Sequence, residues 1–250
     1  MNKLKEAIKL VFAIYFGIVT IFGFLALYLG FLITLNNPKW YKYGHALRKL
    51  WGRWLFFGGC IWVKHIEEVE FDKKNTAYVI TPNHTSKLDI VTLTVKLNVH
   101  FNFMAKIELA RVPVFGIFFR TIDIAVDRKS ARQSALAYQR SVDQLKKEKR
   151  SIVIFPEGTI PAHTPKMGKF KDGAFKLAVE TQTPILPVTI IKNWEILPDN
   201  GKFRFRPGRV IQYVHAPIST VGLTDDDIPA LKIQVHQLIT NKLAEYGYKQ

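Results

Sequence analysis

A single cysteine, Cys60, stands among the 250 residues. No intrachain disulfide can form, a CxxC zinc site is excluded, and nothing points to an oxidising compartment. The seven histidines, at positions 45, 65, 84, 100, 163, 215 and 236, include no HxxxH pair. No metal site is expected. Acid is scarce: 20 Asp and Glu stand against 36 Lys and Arg, for a net charge of +16. That surplus selects polyanionic partners such as nucleic acid, anionic lipid surfaces or acidic carrier proteins. There is no internal repeat, low-complexity tract or obvious linker. The length suits one sizeable α/β domain with an accessory segment, so one active site is sought.

Charge is missing altogether from Leu10 to Leu35, where apolar and aromatic side chains are broken only by Gly17, Gly23, Gly30, Thr20 and Thr34. A bilayer needs about 20 apolar residues, and this run is long enough to span or enter one. A secretory signal would show an apolar core of roughly 7 to 15 residues and a small-residue cleavage site. Neither is present, so a retained anchor is expected. Cations flank both ends, Lys3, Lys5 and Lys9 before and Lys39, Lys42, Arg48, Lys49 and Arg53 after. The positive-inside rule sets the C-terminal side in the cytoplasm, and a re-entrant hairpin fits equally well. From Trp40 to Val63, Trp, Tyr and Phe alternate with cations, the pattern of a second helix at headgroup level. A core helix rich in aromatics is the plainer alternative. The anchor and interfacial helix are assigned to residues 1–63 and the catalytic domain to 64–250.

Beyond Lys64, short apolar runs alternate with amphipathic stretches. Thr76 to Thr81, Thr121 to Val126, Ser151 to Phe155, Ile185 to Ile191 and Arg209 to His215 read as strands. Helices lie between them. One carries Ala131, Ala135, Tyr138, Val142 and Leu145 at spacings of four, three, four and three, and runs into the charged stretch Lys146 to Arg150. Another opens at a Thr224 to Asp227 capping box, with Leu231, Val235 and Leu238 on its apolar face. The fold expected is α/β, with a mostly parallel central sheet flanked by helices and preceded by an N-terminal membrane helix pair.

Chemistry-bearing residues cluster after strands. The first strand runs into Pro82, Asn83, His84, Thr85, Ser86, Lys87, Leu88 and Asp89, and a helical pattern begins at Ile90. Ligands in open α/β sheets bind at that carboxyl edge. Imidazole moves protons near neutral pH, and a carboxylate on its other nitrogen fixes the tautomer and stabilises the imidazolium. HxxxxD alone is a weak signal, because Ser86 and Asp89 also fit a capping box. Glu157 and Gly158 follow the strand Ser151 to Phe155 in the same way. If both strands share one parallel sheet, Glu157 and His84 leave the same edge, where a carboxylate can hold acceptor hydroxyls or orient a cation. A solvated turn glutamate is the alternative. Lys106 and Arg128 are candidates for phosphate or carboxylate binding among many surface cations.

Order and co-occurrence carry more weight. NHTSKLD, then KIELARVPVFG with VDR, then FPEGT with FKDG, then ILPVTI resemble the four successive motifs of the glycerolipid acyltransferase family. The nearest resemblance is to the bacterial 1-acylglycerol-3-phosphate acyltransferases. It covers roughly Thr76 to Ile191, and the N-terminal helices are arranged similarly. The resemblance implies that His84 is the catalytic base, Asp89 its partner, and that Lys106, Arg128, Glu157, Gly158 and Thr159 bind the acceptor or reacting groups. It further implies direct attack of an acceptor hydroxyl on an acyl carrier protein or coenzyme A thioester, with no bound cofactor and Ser86 not a nucleophile. The product would be phosphatidic acid, made at the cytoplasmic membrane by a domain facing the cytoplasm. Membrane lipid and the acyl carrier are the partners implied. Nucleic acid is not, since no recognition motif accompanies the charge. The sequence does not define the oligomeric state.

One departure matters. Ile160 and Pro161 follow the Glu-Gly-Thr where the family usually has Arg, so a cation expected at the acceptor phosphate is missing. Arg128, Lys166, Lys169 or Lys171 are the nearest substitutes, and a lyso-aminolipid acceptor is an alternative. A noncatalytic protein that holds anionic lipid is a third reading. Phe101, Phe103, Phe115, Phe118 and Phe119 are candidates for an acyl groove, although such clusters usually form core.

Overall fold

The computed structural model describes residues 2–112, 116–127, 129–201 and 204–248, the side chains of residues 2–6 excepted. The Asn2–Leu35 helix (α1) has no proline, and its hydroxyls bond back into the helix, Thr20 to Phe16 O and Thr34 to Gly30 O, both at 2.7 Å. This satisfies polar groups along an apolar surface. A turn at Asn37 and Pro38 ends α1 and leads to the Tyr41–Gly58 helix (α2). The two pack through glycines. A Cβ on Gly23 would lie 2.2 Å from Trp54, and one on Gly58 would lie 2.6 Å from Val19. The Trp51 and Trp54 indoles donate to the carbonyls of Thr20 and Val19, at 3.1 and 3.0 Å. The other side of α1 leaves Val11, Ile18, Phe22, Leu25 and Leu29 exposed. Ala7–Leu35 is long and apolar enough to cross a membrane.

Residues 40–63 are not one helix as expected. Gly58 and Gly59 end α2, Cys60 takes the left-handed φ of 49°, and Ile61–Glu67 forms β1. The interleaved aromatics and cations hid the change of period at Gly58. The remaining strands are Val79–Pro82 (β2), Phe101–Lys106 (β3), Ile124–Val126 (β4), Ser151–Val153 (β5), Ile185–Ile191 (β6) and Gly208–Val214 (β7). Seven strands make one sheet in the order β1-β7-β6-β2-β5-β3-β4. The pairs β2–β5, β2–β6, β3–β4 and β3–β5 are parallel, which gives the expected mostly parallel sheet flanked by helices. β2 starts later than expected because the Tyr78 N–H donates to the Ser151 hydroxyl at 3.0 Å instead of to a ladder carbonyl. β3 was not foreseen, although Phe101 and Phe103 alternate along it.

The chain divides into two compact units. The first holds residues 1–65, 85–97 and 190–212. In it Leu88–Lys96 (α3) packs on α2, where a Cβ on Gly52 would lie 2.7 Å from Val95, and Phe16 stacks on Phe205 at 4.0 Å. The second holds residues 66–84, 98–189 and 213–250. It includes Gly116–Arg120 (α4), Ala131–Lys146 (α5), Gly173–Thr181 (α6) and Ile228–Glu245, while Asn193–Ile196 (α7) belongs to the first and makes the last helix α8. α5 buries Ala137, Ser141, Gln144 and Leu145 and exposes Ala131 and Ala135, so its inward face is rotated from the one expected. Hydrogen bonds make the polar face buriable. Asn102 donates to Gln144 at 3.0 Å, and Ser141 donates to Ala137 O at 2.7 Å. The capping box at Thr224 and Asp227 is present. On α8, Leu231, Val235 and Ile239 are buried, and Leu238 is only half-buried.

Candidate active site

β2 pairs in parallel with β6 up to Pro82 and Val188, and with β5 at Ile80 and Val153. The carboxyl ends of β2 and β5 therefore share an edge, and His84 and Glu157 leave from it. The His84 ring stacks on Phe155 with centroids 3.9 Å apart and planes 23° off parallel. The His84 main-chain N–H donates to Glu157 Oε1 at 2.7 Å. Glu157 Oε2 accepts the Gly168 N–H, also at 2.7 Å. Glu157 is only 4% exposed. A buried carboxylate needs such donors, and charge-assisted bonds of this length are strong ones. Each oxygen thus holds a main-chain amide, where the sequence alone left open acceptor hydroxyls, a cation or solvent. Gly158 turns the chain with φ 75°, and Thr159 beyond it is exposed.

Lys106 ends β3, which pairs in parallel with β5 at Phe103 and Val153, so it reaches the same edge. Its ammonium lies 2.9 Å from Glu108, on exposed side chains, and lowers the Glu108 pKa by that hydrogen bond. An exposed pair of this kind is weak enough to open for a ligand. Arg128 lies outside the described residues, two positions past the Val126 that pairs with Lys106. Phe115 lies outside them too. Phe101, Phe103, Phe118 and Phe119 are buried in the core.

Asp89 sits in the first turn of α3 and is fully buried. Its Oδ2 accepts the N–H groups of Thr85 and Ser86 at 2.7 and 2.9 Å. The Ser86 hydroxyl accepts the Leu88 N–H at 3.1 Å and donates to Leu197 O at 2.6 Å. The reciprocal capping box weighed from sequence is only half formed: Asp89 holds the Ser86 N–H, but the Asp89 N–H goes to Ser86 O and the Ser86 hydroxyl is occupied by Leu88 and Leu197. Asp89 Oδ1 accepts the Asn193 side-chain amide at 2.7 Å. Asn193 and Gly168 were not singled out from sequence, and Phe155 was read there only as a strand end opening the FPEGT motif. Asn193 follows the strand by two positions, past Lys192 in a left-handed φ of 75°, and only that proximity to a strand end marks it. Among the described residues no group of three or more His, Cys, Asp or Glu could hold a metal ion.

The chain belongs to the acyltransferase family, whose model matches residues 60–191. It is similar to the 1-acyl-sn-glycerol-3-phosphate acyltransferase of Saccharomyces cerevisiae, 34% identical over 74% of this chain and 61% of that one. The 1-acyl-sn-glycerol-3-phosphate acyltransferase alpha of Mus musculus is 34% identical over 65% of this chain and 58% of its own. The chain thus spans about 60% of the length of these curated relatives. Its fold matches the crystal structure of the 1-acyl-sn-glycerophosphate acyltransferase PlsC from Thermotoga maritima, with a TM-score of 0.76 and 22% identity over 100% of this chain and 99% of that chain.

Proposed function

We propose that the chain is a membrane-bound 1-acylglycerol-3-phosphate O-acyltransferase, with His84 as general base and Asp89 as its partner. The observation that carries this reading is His84 at the carboxyl end of β2, its ring stacked on Phe155 and its amide held by the buried Glu157. A ring whose backbone and one face are fixed loses little freedom on engaging a substrate hydroxyl.

In the reaction the acceptor hydroxyl passes its proton to neutral His84 as its oxygen attacks the thioester carbonyl carbon. The carbon–sulfur bond then breaks, and the imidazolium returns the proton to the departing thiolate. The products are phosphatidic acid and the free carrier thiol, either acyl carrier protein or coenzyme A. A thioester is already activated, so a positioned base and stabilisation of the developing oxyanion suffice, and no bound cofactor is required. Asp89 would act on the second imidazole nitrogen to hold the tautomer. The engagement of the Ser86 hydroxyl with the Leu88 N–H and Leu197 O supports direct transfer without an acyl-serine. Lys106, Arg128 and the turn at Gly158 and Thr159 are assigned to the acceptor phosphate and reacting groups, and Glu157 to holding His84. α1 supplies the membrane attachment, with the catalytic residues on the cytoplasmic side.

Ile160 favours one second reading, the same chemistry on a lyso-aminolipid. The test is transfer of labelled acyl chains by detergent-purified protein to lysophosphatidic acid, a lyso-aminolipid and glycerol 3-phosphate, with His84→Ala as control. Product from lysophosphatidic acid that is lost in His84→Ala is the expected result. Product only from the aminolipid would transfer the assignment to that acceptor. Full turnover by His84→Ala would overturn the mechanism.

A further inference from the structure

Asn193 is fully buried at the start of α7, directly after β6 and the left-handed Lys192. Its side-chain amide donates twice, to Asp89 Oδ1 at 2.7 Å and to Thr92 Oγ1 at 2.9 Å. Thr92 in turn donates to Leu88 O at 3.1 Å, so its hydroxyl hydrogen is engaged and its lone pairs face Asn193. The orientation of the amide is therefore defined: only an NH2 group satisfies both acceptors. The Asn193 carbonyl oxygen is buried without a hydrogen-bond partner among the described residues. A buried amide that leaves its acceptor unmatched while both donors are used is retained for the donors.

Asp89 has its other oxygen on the Thr85 and Ser86 amides, which anchor the carboxylate to the start of α3. Those two bonds act on one oxygen and leave rotation about the carboxylate axis to be set by what holds Oδ1. The Asn193 bond to Oδ1, at 2.7 Å, is much shorter than that from Thr85 Oγ1, at 3.4 Å. We infer that Asn193 is a positioning residue of the acyl-transfer reaction: it fixes the plane of the Asp89 carboxylate and so the tautomer and aim of the His84 imidazole. The inference rests on the His84 and Asp89 assignment above. It goes beyond that assignment by adding a residue outside the four motifs, contributed by the segment after β6. Substrate need not touch Asn193, because it acts through Asp89.

The test uses the full-length protein in detergent with Asn193→Ala, Asn193→Asp and the near-isosteric Thr92→Val, beside His84→Ala. Asn193→Asp keeps the shape and replaces a donor by an acceptor against Asp89. Both Asn193 variants should lose roughly 10- to 100-fold in kcat, the scale of a misaligned catalytic group, with acceptor KM changed less than about twofold. Thr92→Val should show a smaller fall of the same kind, and it reports on the link if Asn193 variants fail to fold. A second readout needs no turnover: the His84 imidazole resonance, identified by its loss in His84→Ala, should move in each variant. Unchanged kcat and an unmoved resonance in variants that fold would overturn the inference. A fall in kcat with KM rising in parallel would also overturn it, since that is the mark of substrate contact. Turnover retained by His84→Ala would instead remove the dyad reading on which it rests.

Discussion

Replacing Glu157 by Gln separates two roles that a carboxylate at this edge can have. In the structure its oxygens accept the His84 and Gly168 amides, each at 2.7 Å, in a site only 4% exposed. Gln supplies one acceptor and one NH2, so one of the two main-chain amides would face a donor. Hydrogen bonds to charged groups contribute about 1.5–3 kcal/mol, and a buried N–H left unsatisfied costs about 1–3 kcal/mol. A net loss of roughly 3 kcal/mol follows, with the larger part falling on stability. For a chain of this size each kcal/mol moves Tm by about 2–4 °C, so a decrease of about 6–12 °C is expected. The peptide carrying His84 is released at the same time, which should reduce kcat by at least about tenfold, as a small misplacement of a base does. Acceptor KM should hardly change. Thermal unfolding in detergent and steady-state kinetics on the same preparation measure both. A Tm within about 1 °C of the parent, with acceptor KM raised more than about tenfold, would refute the reasoning and restore Glu157 to the acceptor hydroxyls.

His215, 2% exposed, is pushed down to about 4, first by burial, with Lys242 acting in the same direction and Glu68 opposing. The folded state keeps it neutral while the unfolded chain takes a proton below about 6.5, so its contribution is whole above that pH and is lost as pH falls toward 4, by roughly 3 kcal/mol. Urea unfolding from pH 7 to pH 4 should show that slope, and His215→Gln should flatten it; an equal slope in the variant would exclude His215 as the source. Gly23→Ala would bring a Cβ within 2.2 Å of Trp54 and displace the indole from Val19 O, so melting should fall by an amount corresponding to about 1–3 kcal/mol. Gly173→Ala, which meets nothing within 4 Å, should leave melting unchanged or raise it, and parity between the two would discount the glycine seam. Activity should persist in excess chelator; loss that returns on adding a metal ion would contradict the sequence reading.

Periodicity made some elements legible and not others. β6 was bounded correctly because all seven of its residues are buried and it stands between Pro184 and the left-handed Lys192. β2 and β4 were drawn too long because Tyr78 and Thr121 are β-formers by type, whereas their bonds go to Ser151 and to a turn at Phe118. The face of α5 was misjudged because hydrophobicity was used as the marker of burial. Ser141 and Gln144 go inward because each has a partner there, a condition that depends on residues far along the chain. The site shows the same division. Adjacency to a strand end brought His84 and Glu157 into view, and the order of the family motifs gave them weight. No local pattern tells that Glu157 closes on the amide of a residue 73 positions earlier, or that Asn193 meets Asp89 across 104.

The sequence set capping and catalysis against each other at Asp89, yet the structure makes the opposition unnecessary. Asp89 Oδ2 reaches back to the amides of Thr85 and Ser86 in the turn that leads into α3. Thr85 is the residue after His84, so the Thr85–Asp89 bond also limits the motion of the turn that carries His84. In the capping box at Thr224, the Asp227 carboxylate is only half-buried. The Asp89 carboxylate is instead fully buried, and its Oδ1 is held by Asn193, whose own carbonyl lacks a partner among the described residues. Stability gives no reason for that unmatched acceptor, whereas a carboxylate that must keep one plane does. Asp89 and Asp227 thus differ in the feature that catalysis would add, and exchanging Asn193 reads that feature directly.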